Sequence, residues 1–204
     1  MIKIGILGDI GAGKSYVAKN FGYPVFNADI EVGKLYKKDR KVFNKLKKIL
    51  PKYIYSFPIN KNEISNAILA NKINLKKIVK IIHLEIRKKM NIFLKKNRNR
   101  KIVILDIPLL LENKINKKND ILIFVQSKKS EIYKRLQKRK NFNLTLYKRF
   151  KEIQLPLEYK KKKTHFFLKN NFTKLSLRRN INIILKKINN DWSCVRYRNY
   201  RSFR

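Results

Sequence analysis

The chain has 204 residues, with 52 Lys and Arg against 13 Asp and Glu, and a formal net charge of +39. This length suits one substantial core with a small inserted or appended unit and argues against two full domains. The single cysteine excludes an intrachain disulfide framework, which fits a reducing cytoplasm. Asp9 interrupts the first apolar run before it reaches the length of a signal-peptide core or a membrane span. We therefore expect a cytoplasmic protein with no membrane partner.

So large a positive charge would ordinarily indicate nucleic acid or another polyanion as partner. Here the surplus is spread along the chain as Lys, beside abundant Asn and Ile, which are the residues that an A/T-rich coding sequence favours. We therefore expect no specific nucleic-acid partner, although substrates rich in phosphate would still benefit from electrostatic steering. A basic nucleic-acid-binding protein is kept as the less favoured alternative.

The first predicted strand, at residues 3–7, leads into the sequence GDIGAGKS, which runs from Gly8 to Ser15. These residues fill the pattern G-x-x-x-x-G-K-[ST], whose backbone N–H groups bind phosphate. Lys14 would reach the β- and γ-phosphates, and Ser15 would ligate Mg²⁺. The pattern therefore predicts a nucleoside triphosphate site. The alternative is a glycine-rich turn that binds nothing, and Asp9 would repel phosphate unless its carboxylate turns outward.

Four further apolar runs predict strands and are separated mainly by amphipathic segments of helical length. They span residues 23–29, 101–111, 120–126 and 165–170. Because runs that are apolar nearly throughout suit strands covered on both faces, a five-stranded parallel sheet between layers of helices is predicted. Ligands of such sheets bind at the carboxyl ends of the strands. Residues 30–97 lack a strong strand pattern, which predicts a helical insertion, and residues 128–163 form a second charged segment.

Two acidic residues lie where this sheet would bind a ligand. Asp106 is inside the third apolar run, where an unpaired carboxylate would be costly, so we predict that it faces Mg²⁺, Lys14 or Ser15 in the Walker B position. The alternative is a structural carboxylate that caps the following turn. Asp29 ends the second run and is predicted to be a general base or an orienting group for an acceptor hydroxyl. Its alternative role is the N-cap of a helix that begins at residue 30.

Basic residues in the helical segments supply further candidates. Arg135 and Arg139 are four residues apart and share a helix face, with Arg149 on the next segment. Guanidinium groups suit the transition state of phosphoryl transfer, whose negative charge is spread over several oxygens. In so basic a chain, any one arginine can equally be a surface residue. His83, four residues before Arg87, can equally be a packed helix residue.

In this order along the chain, the motifs GILGDIGAGKS, FNAD, IIHLEIRKK, LDIPLLLE, RLQKR and IQLPLEYKKKKTHFFLKNN resemble those of dephospho-coenzyme A kinases. The resemblance covers residues 1–188, and DIPLLLE, from Asp106 to Glu112, is the motif that narrows the choice among kinases. It implies ATP-dependent phosphorylation of the ribose 3′-hydroxyl of dephospho-coenzyme A, giving coenzyme A and ADP, the last step of coenzyme A biosynthesis. Another nucleoside or nucleotide kinase with the same phosphate loop is the nearer alternative.

The resemblance also implies an organisation of the chain. The fold would be the three-layer α/β/α fold of P-loop NTPases, with a nucleotide-binding core at 1–29, 98–127 and 164–190. Residues 30–97 would form the helical domain that receives the coenzyme A precursor, and residues 128–163 a helical lid over ATP. We expect residues 191–204 to be a disordered tail. The partners would be ATP and dephospho-coenzyme A, and the protein a monomer or a weak homo-oligomer.

The resemblance assigns roles to individual residues. Lys14, Asp29, Asp106 and Arg139 would be catalytic, with Ser15 and Asp106 holding Mg²⁺. ATP would be bound by Gly8, Asp9, Ile10, Gly11, Ala12, Gly13, Lys14, Ser15, Tyr16 and Arg139. The acceptor would be bound by Asp29, His83, Arg87, Pro108 and Leu109. The chain departs from the family pattern at Asp9, Leu84, Phe150 and the pair Thr164 and His165, whereas Lys160 and Asn170 keep their places.

Overall fold

The computed structural model describes residues 1–139 and 142–198, with side chains described as far as residue 190. Within this part, five strands form one parallel sheet in the order β2-β3-β1-β4-β5. The strands are β1 Ile2–Gly8, β2 Val25–Asn27, β3 Ile102–Asp106, β4 Ile121–Gln126 and β5 Phe166–Lys169. All five predicted strands are confirmed, and the sheet is parallel as expected.

The strands are shorter than the apolar runs that predicted them. The third run was expected to continue to residue 111, but β3 ends at Asp106 and turns follow. Pro108 has no backbone N–H to add to a strand ladder, so the chain leaves the sheet at this point. Asp106 therefore lies at the carboxyl end of β3, where a side chain can face a ligand.

Helices surround the sheet and connect its strands. They are α1 Lys14–Asn20, α2 Ala28–Lys38, α3 Arg40–Ile49, α4 Lys61–Ala70, α5 Lys72–Lys96, α6 Lys129–Gln137, α7 Leu144–Glu152, α8 Leu157–Lys162 and α9 Lys174–Arg198. Several begin at a residue whose side-chain oxygen accepts a hydrogen bond from the first turn, namely Asn27, Asp39, Asn60, Asn71 and Asn143. Such caps satisfy N–H groups that have no partner within the helix, which fixes where each helix starts.

Each face of the sheet is covered by its own apolar cluster, because successive side chains of a strand point to opposite sides. Ile4, Ile6 and Ile104 pack with residues of α1, α6 and α9 on one side. Leu7 and Leu105 pack with residues of α2 to α5 on the other side. The result is the predicted α/β arrangement of a sheet between two helical layers.

The helical insertion packs directly against the sheet. Helix α5 has 25 residues, and its buried residues Leu75, Ile78, Ile82, Ile86 and Met90 recur at intervals of three or four. These side chains belong to the same cluster as Leu105 and Phe124 of the sheet. The insertion and the core therefore share one apolar interior, and the boundaries assigned to core, insertion and lid stay predictions.

The last described helix extends past the expected start of the tail. Helix α9 is described as far as Arg198, and the disorder expected from residue 191 stays a prediction. The segment contains neither Pro nor Gly between residues 174 and 198, which is compatible with a continuous helix. Residues 199–204 of the expected tail lie outside the described residues. Among the described helices, none combines the length and the apolar character that crossing a membrane requires.

Candidate active site

The phosphate loop connects β1 to α1, and its backbone requires glycine at both ends. Gly8 has a φ of 146° and Gly13 a φ of 86°, which side chains rarely allow. A Cβ atom at Gly8 would lie 2.8 Å from the carbonyl oxygen of Val125, and one at Gly13 would lie 2.5 Å from Asn170 Nδ2. The two glycines that the motif fixes are therefore the residues that this conformation demands.

Two polar side chains from neighbouring strands anchor the loop. The carbonyl oxygen of Ala12 accepts hydrogen bonds from Ser127 Oγ and from Asn170 Nδ2, each at 3.0 Å. Ser127 follows β4 and Asn170 follows β5, so both contacts depend on the order of strands in the sheet. The sequence motif gave no role to Ser127, because its distance from the loop along the chain hides the contact.

Lys14 is half-buried and lies among charges of both signs. Its Nζ atom donates to the carbonyl oxygens of Asp9 at 2.7 Å and Gly8 at 3.2 Å. Its pKa is lowered to about 8, mainly by desolvation and also by Lys160, while Asp106, Asp9 and Asp29 oppose the decrease. The ammonium group of Lys14 and both predicted catalytic carboxylates are therefore electrostatically coupled.

Asp106 is held by the neighbouring strand. It is 2% exposed, and the register of the sheet places Asn27 of β2 beside it. Asn27 Nδ2 donates to Asp106 Oδ2 at 2.5 Å. Among the described residues, no N–H of the turn after β3 donates to Asp106. The structure therefore does not support the alternative in which Asp106 caps that turn. One carboxylate oxygen is thus fixed by Asn27, and the side chain stays at the strand end beside Lys14.

Asp29 lies in the first turn of α2, not at the end of a strand. The N-cap of this helix is Asn27, whose Oδ1 accepts from the N–H of Ile30 at 2.8 Å, so the alternative role of Asp29 as N-cap is wrong. Burial raises the pKa of Asp29, Asp106 raises it further, and Lys14 and Arg139 oppose the increase. A carboxylate with a raised pKa accepts a proton more readily than a free one does.

The three candidate arginines have different surroundings. Arg139, two residues after α6, acts electrostatically on Asp29. The guanidinium of Arg135 lies 4.0 Å from the ring centroid of Phe172, and Arg149 pairs with Glu152 at 3.9 Å. Arg139 therefore acts electrostatically on a predicted catalytic residue.

Asp9 is neutralised by the segment predicted to be a lid. Lys151 of α7 donates to Asp9 Oδ1 at 2.5 Å, and the N–H of Ile10 donates to the same oxygen at 2.7 Å. The carboxylate that looked unfavourable in an anion-binding loop thus has a cation beside it. Of the other residues predicted to bind ATP, Ile10 and Gly11 belong to the loop, whereas Tyr16 is an exposed residue of α1.

A cavity of about 490 Å³ lies between α5, the turn after β3 and the end of α7. Its walls include His83 and Leu109, both predicted to bind the acceptor, together with Glu112. His83 Nε2 and Glu112 Oε2 are buried without a hydrogen-bond partner among the described residues. Burial and the nearby charge of Arg87 lower the pKa of His83, which favours its neutral form.

Two other predicted acceptor residues, Arg87 and Pro108, contact a residue of this cavity or precede one in the chain, whereas Asp29 is not among the cavity residues. Arg87 Nη2 donates to the carbonyl oxygen of Asn113, a cavity residue, at 3.1 Å. Pro108 is half-buried and directly precedes Leu109. Leu84, which departs from the family pattern, is exposed and also lines the cavity. The structure therefore gathers His83 and Leu109 and leaves Arg87 linked to them through Asn113.

The residues predicted to hold Mg²⁺ offer oxygen atoms. Ser15 follows Lys14 in α1, and Asp106 acts electrostatically on Lys14. A hydroxyl and one carboxylate fit Mg²⁺, which is usually held by one or two carboxylates together with phosphates and water. In the described part of the chain, no group of three or more His, Cys, Asp or Glu residues could hold a metal ion without such a substrate.

A family model described as dephospho-CoA kinase matches residues 2–175. The chain belongs to the dephospho-CoA kinase family. A dephospho-CoA kinase of Wolbachia from Brugia malayi is 32% identical over 176 residues, which are 84% of this chain and 90% of that protein. One from Rickettsia prowazekii is 31% identical, over 92% of this chain and 98% of that protein. Family membership confirms the resemblance and makes the chain an ATP-dependent kinase of coenzyme A biosynthesis.

Solved structures show the same fold. A Thermus thermophilus protein has a TM-score of 0.71 at 24% identity, covering 92% of this chain and 97% of its own. The dephospho-CoA kinase of Campylobacter jejuni has a TM-score of 0.57 at 22% identity, covering 91% and 96%. These similarities confirm the predicted α/β fold with a phosphate loop. Family membership also decides against the two alternatives, another nucleoside or nucleotide kinase and a basic nucleic-acid-binding protein.

Proposed function

We propose that this chain transfers the γ-phosphoryl group of ATP to the ribose 3′-hydroxyl of dephospho-coenzyme A, with Lys14, Asp29, Asp106 and Arg139 as its catalytic residues. The observation that supports the assignment is the electrostatic coupling of Lys14, Asp29 and Asp106, in which the charge of each affects the ionisation of at least one of the others. Such mutual perturbation of pKa values is typical of catalytic sites.

ATP would bind along the loop from Gly8 to Ser15. Without nucleotide, Lys14 donates to two loop carbonyl oxygens. Phosphate oxygens would replace these acceptors, and their negative charge would restore the pKa of Lys14 towards its ordinary value. Arg139 would bring positive charge from beyond α6 to the transferred group, whose transition state spreads charge over several oxygens.

Asp29 would orient the acceptor hydroxyl and receive its proton. Its raised pKa suits this role, because a base whose pKa is closer to neutrality takes up a proton more effectively. Lys14 and Arg139 oppose the increase, which favours the ionised form that acts as a base. In the course of transfer the hydroxyl oxygen forms a bond to the γ-phosphorus, ADP leaves, and the hydroxyl proton goes to Asp29.

Ser15 and Asp106 would hold Mg²⁺ with the phosphates of ATP. When bound, the ion neutralises charge that develops on the phosphate oxygens. Asn27 fixes one oxygen of Asp106, so the other oxygen stays available for the ion or for its water ligands. This arrangement explains why a carboxylate is retained at the end of an otherwise apolar strand.

The acceptor would occupy the cavity beside α5. A volume of about 490 Å³ falls within the range of about 300 to 1,000 Å³ that small-molecule sites usually have. His83 and Leu109 line it, and Arg87 and Pro108 lie beside its wall residues. The described pocket does not include Asp29, so the acceptor would extend from the cavity towards the strand ends. The oligomeric state, monomer or weak homo-oligomer, stays a prediction.

The first experiment incubates the purified protein with ATP, Mg²⁺ and dephospho-coenzyme A, and measures coenzyme A and ADP separately. Equal amounts of both products are expected. Adenosine and AMP serve as competing acceptors and should be phosphorylated much more slowly, because they lack the pantetheine portion. Release of ADP without coenzyme A, or preference for a nucleoside acceptor, would contradict the proposal.

A further inference from the structure

Lys160 of α8 is an ammonium group enclosed in the protein, with its side chain 1% exposed. A buried cation is costly unless it is paired and hydrogen-bonded. Its Nζ atom lies 2.7 Å from Glu112 Oε1 and 3.1 Å from Gln154 Oε1. An ammonium group carries three N–H donors. Among the described residues, Glu112 and Gln154 accept two of them, so one donor of Lys160 is left without a partner.

Glu112 also has one satisfied end and one free end. Its Oε1 atom accepts from the N–H of Leu155 at 3.0 Å, in addition to pairing with Lys160. Its Oε2 atom is buried and has no partner among the described residues. The same side chain lines the cavity beside α5, and it is nine-tenths buried. A buried carboxylate oxygen without a donor is costly, so a ligand that supplies one would be bound preferentially.

Lys160, the other member of the pair, lies on α8, which packs against β1, the strand that leads into the phosphate loop. Lys160 and Lys14 of the phosphate loop act electrostatically on each other. Two nearby like charges repel each other, and a bound triphosphate would relieve that repulsion.

We propose that the Glu112–Lys160 pair serves both substrates: the free N–H of Lys160 binds a phosphate of ATP beside Lys14, and the free oxygen of Glu112 accepts a hydrogen bond from a hydroxyl or amino group of the phosphoryl acceptor. This inference rests on the proposed function and adds two binding residues to it. The pair would then connect the two substrate sites, and binding at one end would affect affinity at the other by an equal factor in both directions.

If the Glu112–Lys160 pair had a purely structural role, it would only hold α8 against the turn after β3. Removing Lys160 alone does not distinguish the two roles, because it leaves a buried carboxylate unpaired and is expected to destabilise the fold in either case. Replacing both charges together avoids this problem. In the double variant Glu112→Gln with Lys160→Met, the glutamine oxygen still accepts from Leu155, both side chains keep nearly their original volume, and no buried charge is left alone.

The test compares this double variant with wild type by thermal unfolding, by calorimetric titration with a non-hydrolysable ATP analogue, and by the KM for dephospho-coenzyme A. We expect near-wild-type unfolding, with the analogue and the acceptor each bound about tenfold or more weakly, as for loss of a charged hydrogen bond. Lys161→Met is the matched control, since it removes one lysine of the same helix and its pairing with Glu158. The control should leave both affinities within about threefold of wild type.

Wild-type affinity for both ligands in the folded double variant would overturn the inference. If the double variant does not fold, Glu112→Gln alone decides the acceptor half. It retains a hydrogen-bond acceptor for Lys160 but presents an amide donor where the free oxygen was, so the KM for dephospho-coenzyme A should rise about tenfold. An unchanged KM would overturn the inference. Binding of the ATP analogue is measured without the acceptor. A wild-type protein that binds the analogue but does not phosphorylate dephospho-coenzyme A would therefore contradict the proposed function. It would leave the proposed role of Lys160 in ATP binding unaffected.

Discussion

The phosphate loop and the cavity beside α5 belong to one proposed active site, but they are assembled differently. The loop is a single continuous segment, residues 8–15, whose shape depends on glycine backbone and on contacts to its own carbonyl oxygens. The cavity takes its walls from α5, the turn after β3 and the end of α7, which are distant in the chain. A nucleotide site of this kind can thus be specified locally, whereas the acceptor site depends on how the helices pack on the sheet.

The two regions also differ in their charges. Around the loop, Lys14 and Asp29 perturb each other's ionisation, and the charge of Asp106 affects both. The cavity has instead, among the described residues, buried polar atoms without a hydrogen-bond partner on His83 and Glu112. We therefore expect substitutions on the loop side to affect turnover and its pH dependence, and substitutions on the cavity side to affect mainly the affinity for the acceptor.

The largest expected effect tests whether the loop side carries the chemistry. Asp29→Asn should lower kcat by about 10²- to 10⁴-fold, as for loss of a general base, while the affinity for an ATP analogue changes only a few-fold. Steady-state kinetics with both substrates and calorimetric titration measure the two quantities. Glu158→Gln, which removes an exposed carboxylate on α8, is the control and should keep wild-type turnover. If Asp29→Asn turns over as fast as the control, Asp29 has no catalytic role.

The same variant should be more stable than wild type at neutral pH. The pKa of Asp29 is raised in the folded protein, so the folded state favours the protonated form and loses stability as pH rises through that pKa. Asparagine removes this cost because it does not ionise. A higher unfolding temperature together with lost turnover would show that stability is given up for catalysis at this position.

The next prediction concerns Lys14 and the pH dependence of nucleotide binding. As pH rises through about 8, the ligand-free protein loses the Lys14 proton, so the affinity for an ATP analogue should fall. Stability of the ligand-free protein should change in the opposite direction, because a lowered lysine pKa penalises the protonated form and the penalty disappears as pH rises from about 8 towards 10.5. Titration and unfolding over this range measure both trends, and an ATP affinity that stays constant would contradict the first.

The loop and the strands could be predicted from the sequence because each depends on neighbouring residues. The fixed glycines and Lys14 follow the motif, and apolar runs identify every strand of the sheet. Errors occurred where several local signals competed. Asn27 and Asp29 are both good capping residues, and only the structure shows that Asn27 caps α2 while Asp29 acts electrostatically on Lys14.

The contacts that the sequence did not predict join distant segments. Lys160 and Glu112 are far apart in the chain, and nothing local in either segment indicates that one lysine among so many is buried against a glutamate. The free atoms of the cavity are equally hidden, since they are recognised by the absence of a partner in the described residues. Tertiary packing, and not local propensity, determines this half of the site.

The smallest expected effect concerns the contact between the loop and α7. Lys151 and Asp9 form an ion pair whose lysine is partly exposed, so solvent reduces its strength, and such pairs contribute about 0.2 to 1 kcal/mol. Lys151→Met should weaken ATP binding by no more than about fivefold, because it leaves the Asp9 carboxylate uncompensated beside the phosphates. Asp9→Asn should have the opposite effect or none, and combining the two changes should bring the affinity back near wild type. Titration of the wild type, both single variants and the double variant with the ATP analogue, at low and high salt, measures these affinities. Because salt screens exposed charges, the differences in affinity between variants should be smaller at high salt. A loss of much more than fivefold in Lys151→Met that persists in the double variant would mean that Lys151 itself binds the nucleotide, and that the predicted lid segment belongs to the phosphate site.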